Sequence, residues 1–210
     1  MPAHRLAALL AALFATALAS AAAADPHAAK GKPHEDPPAD MAKAFETWQQ
    51  MSSPGEQHAY LDRFVGEWET TSKMWMEGPA RPPMESKGAA SITWSFGGRW
   101  LEQRNTGNMM GQPMEGVGYT GYDRMRKQFT MVWLDNMSTA VYAATGAFDP
   151  DGKVLSLYGH MDEPMTGEIA KAVKYVLRLL DEDHFSFEIH DLIYGESNTK
   201  MVQVDYAREK

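Results

Sequence analysis

From Phe64 onward, apolar and polar side chains alternate with a period of two, and turn chemistry interrupts the alternation roughly every ten residues. Ser91-Ile92-Thr93-Trp94-Ser95-Phe96 and Phe185-Ser186-Phe187-Glu188-Ile189-His190 alternate without a break, and residues 129–133 do so in part. Such runs read as half-buried strands, because successive side chains on a strand point to opposite faces. Gly97-Gly98, Asp149-Pro150-Asp151-Gly152, Asp181-Glu182-Asp183 and Gly195-Glu196-Ser197-Asn198 each sit between two runs, which is how sequential antiparallel hairpins are written. Strands are expected near residues 65–76, 88–96, 99–106, 114–122, 128–135, 139–148, 153–160, 171–180, 184–192 and 199–208. A meander of this kind without crossover helices leaves two edges, which a sheet removes by closing on itself. Gly116, Gly118, Gly121, Gly146 and Gly159 give a strongly coiled sheet places to bend, and the connections are too short for most Greek-key crossings. The expectation is an all-β fold, an up-and-down antiparallel β-barrel of about ten strands over residues 64–210.

Upstream the period is helical. Met41, Phe45, Trp48 and Met51 share one face with Ala44 between them, so residues 40–51 read as an amphipathic helix opening at an Asp N-cap. Ser53-Pro54-Gly55-Glu56 offers a capping Ser, a Pro at the first helical position and a Glu at the third. A second short helix is therefore expected to about Arg63, presenting Tyr60, Leu61 and Phe64 to the barrel. Residues 41–63 thus form one or two short helices ahead of the barrel. Residues 25–40 are polar and broken by prolines, a linker too poor in apolar residues to fold alone, and its His27 and His34 lack the preorganisation a metal site needs. Residues 1–24 have the form of a secretory signal peptide: His4 and Arg5, an apolar run over residues 6–18, then small residues to Ala24. The run is shorter than the roughly 20 apolar residues that span a bilayer, and it lacks the polar face of an amphipathic helix. A periplasmic or secreted protein is expected, with no stable membrane insertion after signal removal.

Twenty Lys and Arg stand against 28 Asp and Glu, a formal charge of −8; loss of residues 1–24, which hold one Arg and no acid, leaves 19 against 28, or −9. An acidic surface repels phosphate backbones, so nucleic acid is not an expected partner. The chain has no cysteine, which removes disulfides, thiolate nucleophiles and thiolate metal sites and leaves stability to the core.

Gly66-Glu67-Trp68, on the first strand after a short helix, looks like the Gly-x-Trp of lipocalins and related calycins, and Arg208 matches the basic residue that packs across that Trp. Four further segments extend the likeness: Leu61-Asp62-Arg63-Phe64-Val65-Gly66-Glu67-Trp68, Met109-Met110-Gly111-Gln112-Pro113-Met114-Glu115-Gly116, Gly121-Tyr122-Asp123 and Trp133-Leu134-Asp135-Asn136-Met137-Ser138. They resemble the bacterial domain of unknown function 1579 family over about residues 55–208. That resemblance implies a lipocalin-like barrel closed by Gly66, Trp68 and Arg208, and it carries over no catalytic residue. A guanidinium over the Trp68 indole would contribute about 0.5 to 2 kcal/mol.

A barrel of this kind can hold a small apolar or amphipathic molecule. Its lumen candidates are Ile92, Trp94, Phe96, Tyr119, Met131, Trp133, Tyr142 and Tyr175, with Arg104 or Arg178 as anchors for a carboxylate. If these side chains pack the lumen solid, the protein is instead a non-binding structural or partner-interaction barrel. A different class, periplasmic copper handling, rests on 15 methionines. Met109, Met110 and Met114 share a loop, and Met74, Met76, Met84, Met161 and Met165 recur beside Trp75 and His160. Thioethers with imidazole suit Cu(I), whereas methionine also fills irregular apolar gaps, and the spacing repeats no metal-binding unit. His184 and His190 share a strand face with Ser186 and Glu188. Haem ligation as in the nitrobindin group is not expected, because Glu69 and Thr70 replace the pattern Gly-x-Trp-x-Gly-x-Gly after Trp68. No cofactor is expected. No catalytic motif occurs, and the acidic pairs Asp162-Glu163 and Asp181 to Asp183 fall in turns where water solvates them, so an enzyme is not expected.

Overall fold

A computed structural model describes residues 38–210 except 79, 165 and 193–198, with side chains from residue 41. The expected signal peptide, most of the expected linker, Met165 and the turn expected at residues 195–198 lie outside the described residues. Ten strands follow one another: β1 (Gly66–Met74), β2 (Met84–Ser95), β3 (Trp100–Met109), β4 (Gln112–Asp123), β5 (Gln128–Asp135), β6 (Tyr142–Phe148), β7 (Val154–Glu163), β8 (Glu168–Leu179), β9 (His184–Asp191) and β10 (Thr199–Arg208). Each pairs antiparallel with its sequence neighbours, and β1 pairs with β10, so the meander closes into a ten-stranded barrel without edges. β2 opens four residues earlier than the alternation suggested, because Met74 pairs with Met84 and the ladder continues into the connection.

Two short helices precede β1, α1 (Pro38–Ser52) and α2 (Glu56–Ala59), followed by a single 3₁₀ turn at Asp62–Phe64. α1 starts two residues before the expected Asp40 N-cap, since proline is tolerated in a first turn. The expected Ser53 cap of the second helix is not used. The Ser53 hydroxyl donates back to Gln49 O at 2.7 Å and so closes the end of α1, while Gly55 caps α2 and its N–H donates to His58 Nδ1 at 3.0 Å. Arg99 and Arg124 then cover the last α1 carbonyls, on Ser52 and Gln50 respectively.

Burial together with the strand register sets the inward phase. Trp68 and Thr70 on β1, Ala90 and Ile92 on β2, Leu101 on β3, Phe129 and Met131 on β5, Leu155 and Leu157 on β7, and Val173, Tyr175 and Leu177 on β8 are all buried at two-residue spacing. Leu61 and Phe64, from the turn before β1, plug one end of the lumen. Phe185 joins that plug to the barrel, edge-on to Phe64 at 5.0 Å and to Trp68 at 4.7 Å, and stacked on Tyr206 at 4.0 Å. Each such side chain fully removed from water contributes about 1.5 to 3 kcal/mol. Over the plug, the Arg208 guanidinium lies 4.1 Å above the Trp68 ring, and the indole N–H donates to Phe64 O at 2.9 Å.

Candidate functional site

The lumen falls into two unlike halves. In the plugged half a cavity of about 10 Å³ remains among Leu61, Phe64, Ile92, Leu101, Leu177 and Phe185, room for about one water. Toward the other end, inward positions keep partial exposure: Ser72 on β1, Ser86 and Gly88 on β2, Gln103 and Asn105 on β3, Trp133 on β5, Tyr142 on β6, Phe187 and Ile189 on β9 and Val204 on β10. An inward side chain of a closed barrel meets solvent through an end of the lumen; at the plugged end only the outermost ones, Trp94, Tyr122, Phe148 and Leu179, do so, whereas from the other end exposure reaches as deep as Gln103. This half is therefore open, and its mouth is the end at which β1, β3, β5, β7 and β9 finish.

Apolar rings form one wall. Trp133 lies flat against β4, where the absence of side chains at Gly116 and Gly118 is required: a Cβ at either position would enter the indole. Its N–H donates to Asp135 Oδ2 at 2.8 Å. Tyr175 stacks with Phe187 at 5.9 Å, and burial, with a smaller contribution from Tyr142, pushes its hydroxyl up to about 12. The phenol is thus neutral throughout the physiological range.

Polar groups form the floor between the halves. Gln103 Nε2 donates to the Tyr206 hydroxyl at 3.0 Å and to Asn105 Oδ1 at 2.9 Å, and Asn105 Nδ2 donates to the same hydroxyl at 3.3 Å. Burial raises the Tyr206 pKa against the opposing bonds from Asn105 and Gln103.

At the mouth stands a buried ion pair that the sequence reading missed. Lys171, 5% exposed, lies 3.2 Å from Asp191, 3% exposed, with Glu168 at 3.8 Å and Glu163 at 4.0 Å, and its ammonium donates to Met201 Sδ at 3.7 Å. The signal was available: Lys171 is in phase with Val173, Tyr175 and Leu177, and Asp191 with Phe185, Phe187 and Ile189. A charged residue in the core phase of a strand marks an inward charge. His58 was missed too; it is buried between Trp94 and Tyr122, and desolvation holds its pKa below the usual histidine value.

Of the ten lumen candidates, Trp133, Tyr142 and Tyr175 come together around the open half. Ile92, Trp94 and Met131 face inward in or beside the packed half, and the Trp94 N–H donates to Asp62 at 2.9 Å. Phe96 is 69% exposed, because it ends β2 in a left-handed turn residue with φ 50°. Tyr119 and Arg104 occupy the outer phase, both held by Glu102, at 3.3 Å and 2.6 Å. Arg178 pairs across the sheet with Val154 and Ser186, one residue out of phase with the inward Leu177, and is exposed. Neither arginine reaches the lumen.

The methionine set is likewise split. Met109 and Met114 share the inward phase of β3 and β4, Met110 is exposed at a turn with φ 54°, and His160 is exposed on the outer face between inward Gly159 and Met161. Among the described residues no group of three or more His, Asp or Glu side chains is placed to hold a metal ion. His190 and His184 also stand outside the lumen, bound to Glu188 and Asp181 at 2.9 Å and 2.8 Å. Among the described residues no helix is long and apolar enough to cross a membrane.

Residues 53–208 match the family described as "Protein of unknown function (DUF1579)". No curated protein matches the chain. Among solved structures, the crystal structure of Rv2717c from M. tuberculosis is similar in fold, with 17% identity, 75% of this chain and all of that one covered, and a TM-score of 0.53. A redesigned β-barrel is 16% identical over 76% of this chain and 100% of its own, at a TM-score of 0.36.

Proposed function

The chain belongs to the DUF1579 family of lipocalin-like barrels, and from its geometry we propose that it is an exported carrier that binds a small apolar or amphipathic molecule in the open half of the lumen. One observation carries this reading. Inward aromatic and aliphatic side chains toward the mouth, Trp133, Tyr142, Phe187, Ile189 and Val204, retain contact with solvent, whereas Leu61, Phe64, Trp68, Ile92, Leu101 and Phe185 of the plugged half are buried. A wall of that composition loses contact with water when an apolar molecule enters, which is the driving force of most small-molecule sites. The ligand sits above the floor, since a cavity of about 10 Å³ below it admits none.

Nile red, whose emission rises in apolar surroundings, tests the proposal. The native protein should give a saturable isotherm at micromolar concentration, and Gly107→Phe should weaken it by about tenfold or more. Position 107 is in the inward phase of β3, and an added Cβ there meets its nearest atoms only at 3.7 Å, so the ring projects into the open half without forcing the backbone. A monodisperse native protein that shows no saturable binding would leave a packed, non-binding barrel as the better account. Export is tested separately: mature material should begin within a few residues of Asp25, and N-terminal sequencing that returned Met1 or Pro2 would refute it.

A further inference from the structure

The floor of the open half differs in chemistry from its mouth. Within the open half every described inward charge lies at the mouth: Lys171 with Asp191, Glu163 and Glu168, and Asp135 beneath the Trp133 N–H. The floor holds only neutral groups, namely Gln103, Asn105 and Tyr206, with Thr70 and Thr120 beside them in the inward phase. Those groups do not exhaust one another. Both Gln103 amide hydrogens are spent, one on Tyr206 and one on Asn105, and its carbonyl oxygen has no partner among the described residues. The Tyr206 hydroxyl accepts twice and keeps its own hydrogen to give, and Asn105 keeps one amide hydrogen. Gln103 and Asn105 are half-buried, so the lumen solvent reaches them.

A carboxylate lowered to this level would be stripped of water with no cation to meet it, and burial of an unpaired charge is strongly unfavourable. A hydroxyl, carbonyl or amide would instead exchange its bonds to water for bonds to the unspent donors and acceptor. Resting on the lumen-binding reading above, we infer that the floor formed by Gln103, Asn105 and Tyr206 selects ligands whose buried end is a neutral hydrogen-bonding group, an alcohol, ketone or amide, over ligands that end in a carboxylate. The Lys171 ammonium does not reverse this choice, because three carboxylates already surround it within 4.0 Å.

Displacement of Nile red from the full chain by decanol, decanamide and decanoate at about pH 7 tests the inference. Decanol and decanamide should compete about tenfold or more better than decanoate. Gln103→Leu should bring the three competitors to within about threefold of one another, measured against the Nile red affinity of that same variant and with the far-ultraviolet circular dichroism of the barrel unchanged, and Asn105→Ala serves where Gln103→Leu does not fold. Equal or stronger competition by decanoate, lost on Lys171→Met, would overturn the inference and make the mouth cation the anchor. Nile red binding that none of the three displaces would overturn it while sparing the carrier reading, and absence of Nile red binding would overturn both.

Discussion

Alanine at position 66 should unlatch the plugged end of the barrel. Gly66 opens β1 at φ 145°, a conformation that side chains rarely adopt, and a Cβ added there would strike Arg208 Nη1. That guanidinium lies 4.1 Å over Trp68 and donates to Val65 O at 2.8 Å and to Arg63 O and Glu182 O at 3.2 Å each. The backbone conformation costs about 1 to 3 kcal/mol for a non-glycine residue. Displacing the guanidinium forfeits about 0.5 to 2 kcal/mol over the ring and about 1 kcal/mol for the half-buried bond to Val65. Gly66→Ala should therefore cost about 3 to 5 kcal/mol, a large part of the stability of a typical domain. In an Arg208→Ala background the obstacle is gone and only the backbone part remains, so the two substitutions should fall short of additivity by about 2 kcal/mol. Equilibrium urea unfolding of wild type, both single variants and the double variant, followed by tryptophan fluorescence with the slopes compared, measures this directly. Additivity within about 0.5 kcal/mol would refute the claim that Gly66 is needed to seat Arg208.

Two further outcomes follow from charged groups. Lys171→Met leaves buried Asp191 beside Glu163 and Glu168 and should cost about 3 to 5 kcal/mol, whereas Lys171→Met combined with Asp191→Leu should recover most of that loss; urea midpoints that show the double variant no better than the single would sink the ion-pair assignment. On the outer face of β9, burial opposes ionisation of Glu188, but hydrogen bonds from His190 and Lys200 outweigh it and hold the carboxyl below its usual 4.5. The stability this supplies is complete above that value and is lost as pH falls through the lower folded value, so Lys200→Met should flatten the acid-side decline in urea midpoint below about pH 4.5, and an unchanged slope would refute the role.

The hairpin order and the closure were legible because both rest on local rules, alternation and turn chemistry, that tertiary context did not override. The lumen phase was harder. Tyr119 and Trp133 look equally fit to line a pocket, yet the β4–β5 register sets Trp133 opposite Gly118 and Tyr119 opposite Val132, so only one of the two rings can face inward. Gly116 and Gly118, taken from sequence as bending points, are the inward residues of β4, kept small by the indole that covers them. Arg104 and Arg178 were attractive as anchors because arginine binds carboxylates, but each is flanked by the inward residue of its strand, Gln103 or Leu177, and so faces out. Ser53 satisfies the letter of a capping box, but helix α2 starts two residues later with Gly55 as its N-cap, and the Ser53 hydroxyl donates to the Gln49 carbonyl at the end of α1.

Once the phase is known, the two halves of the lumen follow from side-chain size. Moving from the plugged end toward the mouth, the inward residues run Trp68, Thr70, Ser72 on β1; Ile92, Ala90, Gly88, Ser86 on β2; Leu101, Gln103, Asn105, Gly107 on β3; and Tyr122, Thr120, Gly118, Gly116 on β4. To this level all four strands shrink from the plugged end, and Met74, Met84, Met109 and Met114 take the next inward positions at the rim. The facing strands do not shrink: they keep Trp133, Tyr142, Phe187 and Ile189 toward the mouth. A barrel of nearly constant circumference, with one side tapering and the other not, must be filled at the bulky end and hollow at the small one. The polar floor lies where the taper passes through Thr, Gln and Asn, residues large enough to reach the centre and able to hydrogen-bond there. Enlarging a small residue above that floor should therefore close the pocket at little cost in stability. Truncating Leu61 or Phe64 below it should cost about 2 to 5 kcal/mol and open only a void sealed from the mouth.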